Sequence, residues 1–244
     1  GRRAIGPWID ATVRVEGPTA EAIRLVILRD LEYDADEQVD PPRPPAPPVP
    51  RDGPHIAGAS GDGSLVQLVA SSSAQGQRGV LEQAFHTALY AARTRVWITT
   101  PYFCPEDSVL AAIIATARRG VEVRLIVPER NDNRLVAAAE QSLWPELLDA
   151  GVRIYRYTPA LLHTKTMLID GDLGVIGSAN MDIRSFEINL EATIFAFDPA
   201  FAAELERLAE RYMDKSEELT IESAHRRWPI RLRDHVALLA KQLL

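Results

Sequence analysis

The sequence predicts an α/β fold: a mixed, largely parallel sheet flanked by helices on both faces. Two observations carry this reading. From Leu65 onward, short apolar strand patterns alternate with longer stretches of helical spacing. Strands that alternate with such helices build sheets covered on both sides. The second observation is an internal repeat. Asp10-Ala11-Thr12-Val13-Arg14-Val15-Glu16-Gly17-Pro18 aligns without gaps on Glu191-Ala192-Thr193-Ile194-Phe195-Ala196-Phe197-Asp198-Pro199, and both segments then enter a helix. An acid, Ala-Thr, an aliphatic residue and Pro recur in register. Residues 8–36 therefore read as the tail of an earlier copy of the unit, whose beginning is absent from the 244 residues.

In chain order, residues 8–36 predict one strand and one helix. Val13 and Val15 alternate with Thr12 and Arg14, the pattern of a half-buried strand. Gly17-Pro18-Thr19 opens a stretch in which Ala22, Ile23, Val26 and Ile27 recur at helical spacing. The run Pro41-Pro42-Arg43-Pro44-Pro45-Ala46-Pro47-Pro48-Val49-Pro50 forbids helix and starves a sheet of donors, so 37–63 reads as a linker. Strands are expected at 65–70, 95–100, 121–127, 152–156, 164–169, 173–177 and 191–197, and helices at 79–92, 107–119, 134–149 and 199–213. The 107–119 helix has Glu106-Asp107 at its start and Arg118-Arg119-Gly120 at its end, both suited to the dipole and to capping. The organisation is thus a repeat tail at 1–36, a linker at 37–63, a second repeat at 64–214 and a C-terminal helical tail at 215–244.

Composition narrows the function classes. The chain is 46% hydrophobic and 25% charged, ordinary for a globular protein. A net charge of −7 argues against a broad nucleic-acid surface, which rests on Lys and Arg neutralising phosphates, though it leaves room for a local cationic pocket. One cysteine, Cys104, permits no internal disulfide and reads as a small buried residue. No apolar run approaches the length of a membrane span, and Gly1-Arg2-Arg3-Ala4 leads into no signal-peptide core. His55, His86, His225 and His235 read as surface or satisfied histidines, and Arg118-Arg119 and Arg226-Arg227 as solvated charges.

The chemistry concentrates in His163-Thr164-Lys165-Thr166-Met167-Leu168-Ile169-Asp170, an H-x-K-x4-D run followed by Gly177-Ser178-Ala179-Asn180. On a strand, His163 and Lys165 point to one face and can reach one phosphate. Asp170 has the opposite parity and is assigned to the scaffold. Gly177 permits a close backbone approach. Ser178 and Asn180 offer hydroxyl and amide donors to phosphate oxygens. Transfer at phosphorus demands positioning and charge stabilisation, and Lys165 supplies the charge. Histidine can attack as a nucleophile or protonate a leaving alkoxide near neutral pH. It also needs its second nitrogen held, and Glu191 in Asn189-Leu190-Glu191 is the candidate orienter.

These residues resemble the HKD signature of the phospholipase D superfamily, which breaks and remakes phosphodiester bonds through a phosphohistidine at a site built from two motifs. The fold expected is accordingly a phospholipase D-like repeat. In the family an acid of the N-x-E segment orients the histidine, which is the place of Glu191. By the internal repeat, Asp10 is the equivalent acid for a first histidine this chain lacks. The flanks resemble bacterial cardiolipin synthases: Thr100-Pro101-Tyr102-Phe103-Cys104-Pro105, Arg119 to Pro128, Ala150 to Tyr155, and above all Gly177 to Glu191. Trp8-Ile9-Asp10 and Val13 to Pro18 resemble the segment after the first motif of those enzymes. The Pro-rich linker departs from them. The resemblance implies a phosphatidyltransferase that joins two phosphatidylglycerols into cardiolipin and releases glycerol. In relatives the first-motif histidine is usually the nucleophile, which leaves His163 as general acid/base. It implies no cofactor and no metal, a phospholipid partner, a membrane surface, and a bacterial inner-membrane location on the cytoplasmic side.

Three explanations compete for the missing motif. The chain can be the C-terminal part of a longer two-motif enzyme, a single-motif protein that pairs two copies of His163, or a binding module that does no chemistry. The first accounts for Asp10 and for residues 1–63. The complementary half then comes from the same gene or a second copy, and the chain alone is expected to be inactive. The leading different activity is that of a phospholipase D-like phosphodiesterase or nuclease.

Overall fold

Period-2 alternation along the strands decides which helix covers which side of the sheet. The computed structural model describes residues 7–35, 63–71 and 79–225. Its elements are β1 (Trp8–Ile9), α1 (Pro18–Ala35), β2 (Leu65–Ser71), α2 (Val80–Ala91), β3 (Arg95–Thr99), β4 (Phe103–Cys104), α3 (Asp107–Arg118), β5 (Glu122–Pro128), α4 (Arg134–Asp149), β6 (Arg153–Tyr157), β7 (Leu161–Leu162), β8 (Thr166–Ile169), β9 (Leu173–Gly177), β10 (Met181–Asp182), α5 (Ile183–Glu187), β11 (Glu191–Phe197), α6 (Pro199–Met213), β12 (Ser216–Glu218) and α7 (Ile221–His225). The main sheet has eight strands in the order β12-β6-β5-β3-β8-β9-β11-β2.

On one face, Val96 and Ile98 of β3, Val123 and Leu125 of β5, Met167 and Ile169 of β8 and Val175 of β9 pack with Leu81, Phe85 and Leu89 of α2, Val109 and Ile113 of α3, and Leu143 and Leu147 of α4. On the other, Trp97, Ile126, Tyr155 and Leu168 meet Ala202, Ala209 and Tyr212 of α6. Neighbouring residues of one strand thus serve opposite cores, as a sheet buried on both faces requires. Burial of each such Leu, Ile or Val stabilises the fold by about 1.5–3 kcal/mol. Asp198 caps α6 by accepting from Ala200 N at 2.7 Å and Phe201 N at 3.2 Å, and Pro199 fills the first turn, where no backbone donor is needed.

The longer strands and helices of 64–214 fall where the periodicity places them, the short β4, β7, β10 and α5 are not anticipated by it, and the sheet is mixed and covered on both faces. The expectation that it is largely parallel is corrected. Within the eight-stranded sheet only β3-β5 and β5-β6 are parallel ladders, while β12-β6, β3-β8, β8-β9, β9-β11 and β11-β2 run antiparallel. The reason is connectivity: α3 and α4 carry parallel crossovers, but β8 and β9 are joined by a tight turn that reverses the chain.

Two further expectations change. The first strand is Trp8–Ile9 rather than the Val13 region. Residues 11–16 keep the alternating exposure, and Ala11, Val13 and Val15 pack on Ile176, Ile194 and Ala196, but no described strand pairs with them. The tail expected to be helical from 215 first adds β12, tied to β6 by Arg153–Glu218 and Arg156–Glu217 pairs. Arg118 and Arg119 are exposed, as read, and the Arg119 guanidinium in addition donates to the carbonyls of Leu89, Tyr90 and Ala92 and so closes the end of α2. Cys104 is buried, as read, and His86 lies half-buried on α2 beside Glu82. Most of the 37–63 linker, His55, His235, Arg226-Arg227 and the His225 side chain lie outside the described residues.

Candidate active site

Strand register builds the site. β1 pairs in parallel with β7, Trp8 opposite Leu161 and Ile9 opposite Leu162. The next position along that ladder places Asp10 beside His163. The His163 amide donates to Ile9 O at 2.7 Å, and His163 Nδ1 lies 2.9 Å from Asp10 Oδ2. With a carboxylate as its acceptor, Nδ1 carries the hydrogen, and Nε2 is left as the basic nitrogen. Two rings fix the imidazole. Trp8 stacks on it at 4.3 Å between centroids and 30°, and Tyr102 meets it edge-on at 6.4 Å and 84°.

Lys165 lies on the same side as His163, as the spacing predicts. Its Nζ is 3.2 Å from Nε2, 2.8 Å from Nδ1 and 2.5 Å from His163 O. Burial pushes the Lys165 ammonium below the usual lysine range, and Asp10, Glu191 and Asp182 only partly offset this. Thr164, between the two, points the other way and is fully buried, with its hydroxyl 2.9 Å from Tyr212 Oη of α6. The motif is thus anchored through its alternate residue.

Glu191 does not orient His163; that seat belongs to Asp10. Glu191 opens β11 beside Ser178, is buried, and accepts from the Ser178 hydroxyl and from Asn189 Nδ2 at 3.1 Å. Segment 8–10 already occupies the edge of the ladder next to the imidazole, so the carboxylate of β11 finds local donors instead. Its charge is still felt at Lys165. Ser178 spends its hydroxyl hydrogen on Glu191 and accepts from Ala192 N at 3.0 Å. Asn180 donates its backbone N–H to Ser185 Oγ at 3.0 Å and its side chain to Asp182, while its Oδ1 is buried with no partner among the described residues. Burial pushes the Asp182 carboxyl above its usual range, against hydrogen bonds from Ser185 and Asn180.

Asp170 serves the scaffold. It lies past the four residues of β8, about 17 Å of extended chain beyond Lys165, in a left-handed conformation with φ 53° that aspartate tolerates in tight turns. Its carboxylate accepts from the backbone N–H groups of Arg93, Thr94 and Arg95 at 2.8–3.2 Å and from the Thr94 hydroxyl at 2.8 Å. Partial burial raises its pKa, but these hydrogen bonds together outweigh that and hold the carboxyl below its usual range. Gly177 is a true close approach: a Cβ there would lie 2.6 Å from the backbone of β11.

Sequence reasoning gave no site role to Trp8, Tyr102 or Asp182, and it gave Asp10 to another histidine. The parallel β1–β7 pairing that gathers Trp8 and Asp10 has no local sequence signal. The Trp8-Ile9-Asp10 run itself was visible.

Comparison with known proteins accords with this geometry. A family described as cardiolipin synthase, PLD-like domain, matches residues 85–213. Cardiolipin synthase A of Yersinia pseudotuberculosis (strain IP 31758) is 38% identical over 212 residues, covering 87% of this chain and 42% of that protein. The chain therefore spans less than half the length of the curated relatives it matches. Among solved structures, the phospholipase D family member Nuc from Salmonella typhimurium superposes with a TM-score of 0.56 at 18% identity, over 64% of this chain and 98% of that one. Phosphatidylserine synthase from Haemophilus influenzae superposes with a TM-score of 0.58 at 17% identity, over 73% and 46%. At such identities the likeness concerns the fold. The HKD motif, the mixed sheet that carries it and the match over 85–213 make this chain a member of the cardiolipin synthase family of the phospholipase D superfamily.

Proposed function

We propose that the chain supplies one of two HKD half-sites of a phosphatidyltransferase that joins two phosphatidylglycerols into cardiolipin and glycerol. The observation that carries this reading is the pairing of Asp10 with His163. An acid from the tail of one repeat holds the histidine of the next. By the internal repeat, Glu191 is the counterpart of Asp10, and it stands ready for the histidine of a first repeat. The acids cross between repeats, so neither half-site is complete alone.

The reaction then runs in two balanced steps. A histidine of the first repeat attacks the phosphorus of phosphatidylglycerol. The bond to glycerol oxygen breaks, and that oxygen takes the proton of His163 Nε2. A hydroxyl of a second phosphatidylglycerol next gives its proton to Nε2 and attacks phosphorus, and the phosphorus–nitrogen bond breaks to release cardiolipin. Lys165 stabilises the charge on the phosphoryl oxygens. Asp10 holds the tautomer and steadies the imidazolium. Asn180 lies at the phosphate side, and Ser178 acts by fixing Glu191.

Exposed Leu135, Ile188 and Leu190 favour work at a lipid surface, and the location proposed with the family reading is the cytoplasmic side of a bacterial inner membrane. No described helix is long and apolar enough to cross a membrane. The net charge of −7 disfavours nucleic acid.

The test uses an enzyme with both motifs and phosphatidylglycerol vesicles, with single-stranded DNA as the competing substrate. Cardiolipin formation is expected, abolished by His163→Ala with the fold intact by circular dichroism. Unaltered synthesis by His163→Ala, or cleavage of DNA in place of lipid, overturns the reading. The chain alone is expected to form no cardiolipin.

A further inference from the structure

A groove of about 640 Å³ is lined in part by Tyr102, the ring that meets the His163 imidazole edge-on. Its other walls include Asp132, Leu135, Asn180, Asp182 and Asn189. We infer that this groove is the polyol seat of the enzyme, holding the glycerol headgroup that leaves and then the one that attacks. The inference rests on the transferase reading above and names the surface that selects the alcohol.

The first argument is position. His163 protonates the departing alkoxide and deprotonates the incoming hydroxyl, so both alcohols must approach Nε2 from the same side. In this reaction they are chemically the same group, so one seat serves both. The groove begins at the ring that meets His163 edge-on.

The second argument is chemistry. A glycerol headgroup is a vicinal diol with two hydroxyls to donate, and the walls offer acceptors. Asp132 is exposed and already takes the Tyr102 hydroxyl at 2.9 Å, with a second carboxylate oxygen to spare. Tyr102 stays protonated, because burial and then Asp132 raise its pKa.

The third argument is the rim. Leu135, which lines the groove, is 53% exposed. An exposed apolar side chain beside polar walls suits a headgroup whose acyl chains remain in a bilayer.

The experiment uses the two-motif enzyme with phosphatidylglycerol vesicles and added ethanol as a competing acceptor without a diol. Cardiolipin and phosphatidylethanol are measured together. In Asp132→Ala, the ratio of cardiolipin to phosphatidylethanol is expected to fall about tenfold, the effect of one lost hydrogen bond to a charged group. Tyr102→Phe, which frees Asp132 without removing it, is expected to change the ratio less. An unchanged ratio in Asp132→Ala overturns the inference, whether total turnover is kept or falls for both products alike. Wild-type enzyme that makes neither product overturns the transferase reading, and this inference with it.

Discussion

Gly177 is the tightest backbone contact near the site, and replacing it gives a prediction that needs no substrate. Gly177 and Thr193 are register partners across β9 and β11. A Cβ at Gly177 would sit 2.5 Å from Thr193 Oγ1, 2.6 Å from Thr193 Cα and 2.6 Å from Ala192 O. The hydroxyl could rotate away, but the two backbone atoms cannot. They are roughly 1 Å short of a comfortable separation from carbon, so the start of β11 must retreat from β9 by about that much. Overpacking of this kind costs about 1–3 kcal/mol, and a rigid obstacle belongs at the upper end. Gly177→Ala is thus expected to destabilise the chain by about 2–3 kcal/mol and, at roughly 2–4 °C per kcal/mol for this size, to lower Tm by about 5–10 °C. Urea and thermal unfolding followed by circular dichroism measure both. Gly171→Ala is the control. Its Cβ would meet only Arg95 Nη2, at 3.8 Å, so a change within about 0.5 kcal/mol is expected, with a small gain from chain entropy. A Gly177→Ala stability within about 0.5 kcal/mol of wild type would refute the steric reasoning.

Asp10→Asn in the two-motif enzyme should lower kcat by at least about 100-fold, because the amide no longer fixes the proton on Nδ1; steady-state kinetics that match wild type would remove Asp10 from the mechanism. Asp170 holds its carboxyl low in the folded state, so it contributes stability that is present above the unfolded value near ~3.9 and is lost as pH falls through the folded value. Asp170→Asn should therefore destabilise the chain at pH 7 by about 1–3 kcal/mol and flatten the acid limb of a stability–pH curve, and an equally steep limb would count against it. Glu140 is buried on α4 with Oε1 unpartnered among the described residues, and burial raises its pKa well above the usual range. Its folded form keeps the proton longer than the unfolded chain does, so stability falls as pH rises from about 4.3 toward the folded value, by about 1.4 kcal/mol per pH unit. Glu140→Gln should abolish that loss and be more stable than wild type at pH 7, as chemical denaturation at pH 4 and pH 7 would show.

The longer elements of 64–214 were legible because their signals are local. Periodicity marks β3, β5 and β6, and Asp198-Pro199 marks the start of α6. Strand direction was less legible. Helices between strands imply parallel pairing, but β8 and β9 are separated only by Asp170-Gly171-Asp172, and that turn makes their ladder antiparallel. His163, Lys165 and the scaffold role of Asp170 followed from parity along one strand. The orienting acid did not. Asp10 and Glu191 are equivalent by sequence, and what separates them is which one the β1–β7 register brings to the imidazole. That pairing is a tertiary fact, as is the groove that joins Tyr102 to Asp132 and Asp182.

The Asp10–His163 contact also has a consequence in time. It spans 153 residues, and contacts of such separation form late, because the entropy of closing a long loop comes before its reward. The β8–β9 hairpin, which follows Lys165 and turns at Asp170, can form as soon as it leaves the ribosome. At ~5–20 residues per second, His163 emerges roughly 8–30 s after Asp10, and β1 docks only once β7 exists to receive it. The sheet thus takes shape before the imidazole is held. A partly made or partly folded copy presents His163 without its Asp10 partner until β1 docks on β7.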